Sequence, residues 1–322
     1  MFLSIVIPSI GRDTLENTLN SVNQEVKNNL ETSNFSVFLN SEKGELNEVR
    51  IENFSNFKLG LSERLLPPWN SMREALSFSR SEYTWLLGDD DLINPGAINK
   101  IHKKANHLNP NLIILDGNYD DYKGKVEDLV PSLEDKLFEI SDASELLDFL
   151  AQDLHLLNNG RFIVDRDLLE IWLQQPGTEI ETFHEEYRAL FLAAAELLSK
   201  NGSFKILTMR DKIVTLGNVP KSWQKNHDYA VLGEVVMLQS LPLVFGRTRE
   251  ELSKKHLKYR TRLRYLLAIR LAVRGPIRIH PNLKINKYRK MKINLVNIAP
   301  LLKAYSLVRK YRKLKEIYSS GN

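Results

Sequence analysis

Three consecutive carboxylates, Asp89, Asp90 and Asp91, follow a short apolar run at residues 83–88. An apolar run of this length between polar residues predicts a buried strand, and the end of such a strand in an α/β sheet borders the ligand crevice. Carboxylate oxygens suit Mg²⁺ or Mn²⁺, and an ion held in this way completes its coordination with substrate phosphates. The acids therefore indicate a divalent metal site beside a phosphate-bearing substrate.

The same acids have a second interpretation as a solvated turn. In that case Asp91 or Asn94 caps the helix that Pro95 and Gly96 open, and the carboxylates have no chemical role. The acidic residues alone leave both interpretations open. The choice depends on the elements that surround the turn.

Apolar runs and amphipathic stretches alternate around the acids. The pattern predicts strands at 3–8, 35–39, 58–60, 83–87, 111–115, 204–208 and 212–216. It predicts helices after residues 13, 68 and 96, and at 142–152, 166–175 and 181–200, with an irregular region at about 117–140. This order predicts an α/β fold with a mostly parallel sheet, flanking helices and ligands at the carboxyl ends of the strands.

With these elements placed, the first 120 residues and parts of the next 100 resemble the family-2 glycosyltransferases of the Rossmann-like GT-A fold. The resemblance rests on the opening strand and turn at 4–12, the helix at 70–76, and the strand with its acidic element at 81–91. The Gly-Asp-Asp-Asp form looks most like the branch that builds O-antigen and capsular polysaccharides. The resemblance implies a metal-dependent, inverting transfer from a nucleotide sugar, with a UDP-sugar as the default, to a polyprenyl-linked or other saccharide acceptor.

The resemblance also implies roles for residues at the strand ends. Asp91 is implied as a direct ligand of Mn²⁺ or Mg²⁺, Asp89 as a contact of the metal or the donor ribose, and Asp90 as either. A bound cation of this kind neutralises charge that develops on the diphosphate leaving group. The further residues implied to bind the nucleotide sugar are Pro8, Ser9, Arg12 and Arg73.

The end of the second strand departs from the family pattern. The family commonly has Asp-Asp-Gly-Ser there, and the first of these carboxylates contacts the nucleotide base, whereas residues 40–42 are Asn-Ser-Glu. Asn40 could hydrogen-bond a base edge instead, or Glu42 could substitute for the missing aspartate. The sequence therefore leaves the identity of the nucleotide open.

An inverting enzyme needs a general base near the acceptor hydroxyl. The resemblance places this base in the pair Glu185 and Glu186 at the start of a helix, and Glu186 aligns better with the aspartate of the family. Acids in a first helical turn also favour the helix macrodipole without any catalytic role. His227 falls where some relatives supply a histidine to the metal or diphosphate, although a histidine in a polar loop is commonly just exposed.

The amino-acid composition excludes several classes of protein and of site. With 43% hydrophobic and 26% charged residues the chain has enough apolar content for a substantial core, and the absence of cysteine excludes disulfides, thiolate metal sites and cysteine nucleophiles. No run reaches the roughly 18 apolar residues that a spanning helix needs. The first residues have no signal-peptide pattern, so we expect them to form the first strand of the mature fold.

The basic residues are concentrated at one end of the chain. Residues 247–322 contain 22 of the 45 Lys and Arg residues but only 3 of the 40 Asp and Glu residues. Within them, 301–318 has the pattern of an amphipathic helix with one basic face and one Leu/Tyr face, which suits an anionic membrane interface. A solvated helical hairpin on the acidic body is the alternative. We expect a cytoplasmic protein, peripheral on the inner face of a bacterial membrane.

The chain therefore divides into three expected regions. These are a nucleotide-sugar-binding half at 1–120, an acceptor-binding and catalytic-base half at 121–246, and the basic helical tail at 247–322. Two other functions fit parts of the pattern. A nucleic-acid enzyme would use the acids as a metal site and the tail on phosphates, but the tail lacks a recognisable module, so no nucleic acid is expected. A catalytically silent scaffold would explain the missing aspartates.

Overall fold

A computed structural model describes residues 1–40, 54, 56–63, 66, 68–121, 125–128, 133–152, 160–175 and 185–218. The chain forms two compact units. The first comprises Met1–Gln175 and Phe191–Pro220, and the second comprises Pro176–Leu190 and Lys221–Asn322. The predicted basic tail lies outside the described residues. Within the described part of the chain, no helix is both long enough and apolar enough to span a membrane.

The described residues form ten strands and six helices. The strands are β1 (Leu3–Ser9), β2 (Ser33–Leu39), β3 (Phe57–Leu61), β4 (Tyr83–Leu86), β5 (Leu92–Ile93), β6 (Leu112–Asp121), β7 (Lys125–Asp128), β8 (Lys136–Ile140), β9 (Phe162–Asp165) and β10 (Phe204–Asn218). The helices are α1 (Leu15–Lys27), α2 (Pro68–Leu76), α3 (Ala97–Leu108), α4 (Ala143–Gln152), α5 (Arg166–Gln174) and α6 (Glu185–Asn201).

All ten strands belong to one sheet with the order β3-β2-β1-β4-β9-β6-β10-β5, with β7 paired to β6 and β8 paired to β10. The first four strands in this order are parallel, and β6 is parallel to β10. β9 is antiparallel to both of its neighbours. Because the chain leaves β1 towards β2 and returns to β4 on its other side, a ligand crevice is expected between the ends of β1 and β4.

One apolar core lies on the sheet face that α1 covers. Ile5 and Ile7 of β1 are fully buried, and they belong to one apolar cluster with Leu15, Leu19 and Val22 of α1. These helix positions recur at the spacing of one helical face, as the sequence predicts. Each fully buried aliphatic side chain contributes about 1.5–3 kcal/mol. The core therefore fixes β1, and with it the start of the crevice.

The second half of the sheet departs from the sequence predictions. β7 and β8 lie in the region predicted to be irregular, and the antiparallel strand β9 is not predicted at all. Instead of two short strands, β10 is one long strand with register shifts between Met209 and Lys212 and between Lys212 and Val214. Gly117 of β6 lies against this bulged stretch, where a Cβ would collide with the Val214 carbonyl. Bulges of this kind insert residues that pattern reading takes for a break.

Candidate functional site

The expected crevice lies where β1 extends beyond the last residue that it pairs with in β4. The two strands pair from Leu3 to Val6, and the N–H of Leu87 makes the last contact, with the Val6 carbonyl at 3.0 Å. β1 then continues to Ser9 beside β2 alone, and Pro8 occupies this stretch. Proline lacks an N–H and is tolerated where one side of a strand is unpaired. Beyond the crevice the chain turns through the three acids.

Ser9 and Arg12 bind the first acid from the opposite side of the crevice. The Ser9 hydroxyl donates to Asp89 Oδ2 at 2.7 Å, and Arg12 Nη1 donates to Asp89 Oδ1 at 3.0 Å. The Gly11 N–H donates in turn to Ser9 Oγ at 2.9 Å. Arg12 Nη1 also lies 3.8 Å from Asp90 Oδ1. The guanidinium thus offsets the repulsion between neighbouring carboxylates, and the predicted group of Ser9, Arg12 and the acids comes together.

Asp91 accepts hydrogen bonds from two backbone N–H groups, one local and one distant, and a third backbone segment lies close to it. Its Oδ2 accepts the Gly88 N–H at 3.0 Å, and its Oδ1 accepts the Gly217 N–H at 3.1 Å. A Cβ on Gly160 would lie 2.5 Å from Oδ2, so only glycine permits this approach. The residue is 4% exposed. Asp91 is therefore a buried, fixed carboxylate.

The helix after the acids is capped from elsewhere. Gly96, at φ 78°, precedes α3 and has no side chain with which to cap it. The buried carboxylate of Glu25 in α1 accepts the N–H groups of Gly96 at 2.7 Å and Ile98 at 3.3 Å. A carboxylate at a helix N-terminus satisfies free donors and complements the macrodipole. The interpretation of Asp91 as a solvated helix cap is therefore wrong.

Asn94 is not the cap of α3 either. Its side-chain amide donates to the Lys212 carbonyl at 2.9 Å and accepts the Thr215 hydroxyl at 3.0 Å. Both partners belong to β10, which pairs with β5. Asn94 therefore ties the segment after the acids to the sheet.

Asn40 lies at the end of β2, next to the crevice. Its backbone N–H donates to the Ser9 carbonyl at 2.8 Å. Its buried side-chain amide donates to the Leu66 carbonyl at 2.7 Å and accepts the Leu66 N–H at 2.7 Å. The amide therefore holds the backbone at Leu66. The contact with a nucleotide base stays a prediction, and Glu42 lies outside the described residues.

Arg73 has a different environment from the other predicted donor-site residues. Its Nη2 donates to the Leu173 carbonyl at 3.0 Å, near the C-terminal end of α5. A cation there complements the helix dipole. None of the hydrogen bonds described for Arg73 reaches the acidic turn, so its observed contact links α2 to α5.

The predicted bases, Glu185 and Glu186, begin α6 in the second compact unit. Glu186 is buried, with 8% exposed. Their catalytic role stays a prediction. His227 lies outside the described residues, so its predicted role stays a prediction too.

The sequence does not predict three residues that lie near the acidic turn, Tyr119, Gly160 and Gly217. Tyr119 of β6 has a pKa raised by burial and, to a smaller degree, by the negative charge of Asp90. Gly160 and Gly217 contact the acids directly. The hydrophobic pattern predicts a strand that ends at Leu115, so it does not place Tyr119 in β6. No local signal marks the two glycines, because their role depends on close approach by distant segments.

The chemistry of the acidic turn is compatible with a cation. In the part of the chain that the structure describes, no three acidic or histidine side chains are grouped to hold a metal ion. Mg²⁺ commonly uses only one or two carboxylates together with substrate phosphates, and carboxylate oxygens can accept more than one partner. The donor set of Asp89 and Asp91 therefore fits a metal that arrives with a diphosphate.

Comparison with solved structures shows that the fold is similar to that of S. aureus TarS. Residues 1–349 of S. aureus TarS match with a TM-score of 0.56 and 14% identity, covering 100% of this chain and 92% of that one. The same protein in complex with UDP-GlcNAc matches with a TM-score of 0.57 and 13% identity, covering 94% and 79%. Its complex with UDP matches with a TM-score of 0.57 and 16% identity, covering 100% and 92%.

No family model and no curated protein matches the sequence. The likeness to the TarS structures confirms the predicted α/β fold class.

Proposed function

We propose that the protein is a glycosyltransferase that takes its sugar from a nucleotide sugar, with a UDP-sugar as the default donor. The observation that carries the proposal is the crevice network, in which Ser9 and Arg12 bind Asp89 at the switch point of the sheet. The similar TarS structures contain UDP and UDP-GlcNAc. A charged crevice at the carboxyl ends of parallel strands suits a nucleotide diphosphate.

The reaction breaks the bond between the anomeric carbon of the sugar and the diphosphate oxygen, and the electron pair stays on the diphosphate. Arg12 supplies a fixed positive charge beside this leaving group. Asp91 and Asp89 are the candidate ligands of a bound Mn²⁺ or Mg²⁺, which would neutralise diphosphate charge when present. Glu186, or else Glu185, would accept the proton of the acceptor hydroxyl as its oxygen bonds to the anomeric carbon. Attack from the face opposite the diphosphate inverts that carbon.

The proposed acceptor is a polyprenyl-linked oligosaccharide of bacterial surface polysaccharide synthesis. The support is the sequence of residues 247–322, whose basic surplus favours an anionic membrane leaflet. On this proposal the full-length protein sediments with anionic vesicles at low salt, is released by high salt, and ignores neutral vesicles. Equal binding to neutral and anionic vesicles would contradict docking by the basic tail.

The donor proposal is tested with Asp91→Asn, which keeps side-chain size and removes the charge. We expect sugar transfer or donor hydrolysis, measured as UDP release in the presence of Mn²⁺, to fall by at least about 100-fold. Glu74→Gln is the matched control, because Glu74 is an exposed residue of α2. If wild-type protein released no UDP from any nucleotide sugar, or if Asp91→Asn were fully active, the proposal would fail.

A catalytically silent scaffold is the second candidate. The observation that favours it is Asn40, which replaces the aspartate of the family and uses its amide to hold the backbone at Leu66. A scaffold would retain nucleotide binding but would release no UDP from any donor under the same assay. Turnover by the wild type excludes it.

A further inference from the structure

Asp120, in β6, has a buried oxygen that lacks a hydrogen bond. Its Oδ1 is inaccessible to solvent and has no donor among the described residues. A buried acceptor without a partner is costly, and a carboxylate oxygen more so than a neutral one. Native proteins satisfy most such groups, so an exception calls for an explanation such as a ligand. A donor supplied by a bound molecule would remove this cost.

The register of the sheet places Asp120 beside the acidic turn. Asp120 is the Cα partner of Gly217 in the parallel pair of β6 and β10. Side chains of paired residues in adjacent strands point to the same face. The Cβ that Gly217 lacks would collide with the backbone carbonyl of Asp90. The Asp90 backbone therefore occupies the face of Gly217, and Asp120 lies one strand away on that face, about 4.8 Å across the sheet.

Tyr119, the residue before Asp120, also lies near the acidic turn. The negative charge of Asp90 contributes to its raised pKa, after burial. Tyr119 is paired with Leu216, the residue before Gly217, whose N–H binds Asp91. The end of β6 therefore borders the acidic turn from the β10 side.

The order of the strands gives the direction of a bound donor. Ser9 and Asn40 lie at the ends of β1 and β2, on one side of β4, whereas β6 lies on the other side beyond β9. A nucleotide sugar is a linear molecule in which the diphosphate separates the nucleoside from the sugar. With the nucleoside over β1 and β2 and the diphosphate at the acids, the sugar extends towards β6.

We propose that Asp120 Oδ1 accepts a hydrogen bond from a hydroxyl group of the transferred sugar and so determines which donor sugar is preferred. The inference rests on the proposed function, because it presumes a nucleotide sugar in the crevice. Sites that hydrogen-bond a substrate hydroxyl discriminate strongly against analogues that lack it, since the buried polar group is then left unpaired. Asp120 acts on the sugar and not on the nucleotide.

The test compares UDP with UDP-hexoses by calorimetric titration in the presence of Mn²⁺. For Asp120→Asn we expect the Kd of UDP to stay within about twofold of wild type and the Kd of the preferred UDP-hexose to rise by about tenfold or more. Glu139→Gln is the control, because Glu139 is an exposed residue of β8, which pairs with the same strand β10. Unchanged affinity for both ligands overturns the inference. An equal loss for both also overturns it, because Asp120 would then act on the acidic turn.

Two further measurements separate this inference from folding and from the proposed function. Removal of an unpaired buried charge should leave the thermal midpoint of Asp120→Asn equal to or above that of wild type. With wild-type protein alone, one deoxy-hexose donor should bind about tenfold more weakly than its parent, and Asp120→Asn should bind the two alike. Wild-type protein that binds neither UDP nor any UDP-hexose would overturn the proposed function first. UDP binding without discrimination among deoxy donors overturns only the role of Asp120.

Discussion

At the crevice between β1 and β4, Asp89 and Asp91 accept hydrogen bonds from several donors. At the β6–β10 end of the same sheet, a buried oxygen of Asp120 has no donor among the described residues. The difference is not one of burial, because all of these oxygens are largely shielded. It is that the crevice acids are oriented before any ligand binds. On the β6 side, Asp120 Oδ1 is an acceptor for which the described residues supply no donor.

A second carboxylate on the β6–β10 side shows that an acid in this region can have hydrogen-bond partners. Asp116 of β6 is 1% exposed, accepts the Gly117 N–H at 2.8 Å and lies 3.5 Å from Lys212 Nζ. Lys212 lies between the two register shifts of β10 and is the strand partner of Asp116. Within β6, Asp116 thus has hydrogen-bond and ion-pair partners, whereas Asp120 Oδ1 has no donor among the described residues. We infer that preorganised acids bind the constant part of the donor, and that Asp120 binds the variable part.

The largest expected effect comes from crowding Asp91. Gly160→Ala places a Cβ 2.5 Å from Asp91 Oδ2 and 2.9 Å from Leu216 Cδ2, at a backbone φ of 91°. We expect unfolding free energy to fall by about 2–4 kcal/mol, from backbone strain and overpacking together. Donor turnover should fall by about 100-fold or more, because the carboxylate must move. Urea denaturation and the UDP-release assay measure the two effects.

Gly202→Ala is the matched control for that experiment. Gly202 has a similar φ of 75°, and a Cβ there would meet no atom within 4 Å. We expect Gly202→Ala to lower the unfolding free energy by about 1 kcal/mol, from backbone strain alone, and to leave donor turnover unchanged. Equal losses of turnover in the two variants would mean that the close approach of Gly160 to Asp91 has no functional weight.

A smaller effect is expected at Glu25, where a buried carboxylate has donors but lies away from the crevice network. Glu25→Gln keeps one acceptor but sets an amide N–H₂ against a backbone N–H of α3. We expect unfolding free energy to fall by about 1–3 kcal/mol, measured by urea denaturation. The KM for the donor should stay unchanged, in contrast to the crevice acids. Glu16→Gln, at an exposed site in the first turn of α1, is the control.

If the donor KM of Glu25→Gln rose as much as that of a crevice variant, Glu25 would not differ from the crevice acids in its effect on donor binding. Such a rise would mean that the cap of α3 positions the acids as well as stabilising the helix. The N–H of Ile93, which follows the acids, is bound by Ser21 of α1 at 3.2 Å, so such coupling has a physical route.

The same contrast explains what the sequence could and could not predict. β1, β4 and the acids are local apolar runs with polar ends, and the family resemblance places Ser9, Arg12 and Asp89 at one nucleotide-sugar site. The donors of Asp91 are less accessible to such reasoning, because Gly217 is 126 positions away and carries no pattern of its own. Arg73 was assigned to the donor site through a resemblance, yet its described contact is with α5.

The β6–β10 half was harder to predict for a related reason. Its pairing is non-local, and the bulges of β10 break the period of two that marks a strand. As a result, β6 was expected to end before Tyr119 and Asp120. Asp120 could be recognised only from its register with Gly217 and its missing donor.

The central claim is that a nucleotide diphosphate binds at the crevice acids. Its most direct test is a calorimetric titration of UDP with Mn²⁺ into wild type and Asp89→Asn, with Glu74→Gln as the exposed control. We expect UDP to bind wild type and the control alike, and to bind Asp89→Asn at least about tenfold more weakly, because that carboxylate orients Arg12 and Ser9. Equal affinity for wild type and Asp89→Asn, or no binding to either, would contradict it.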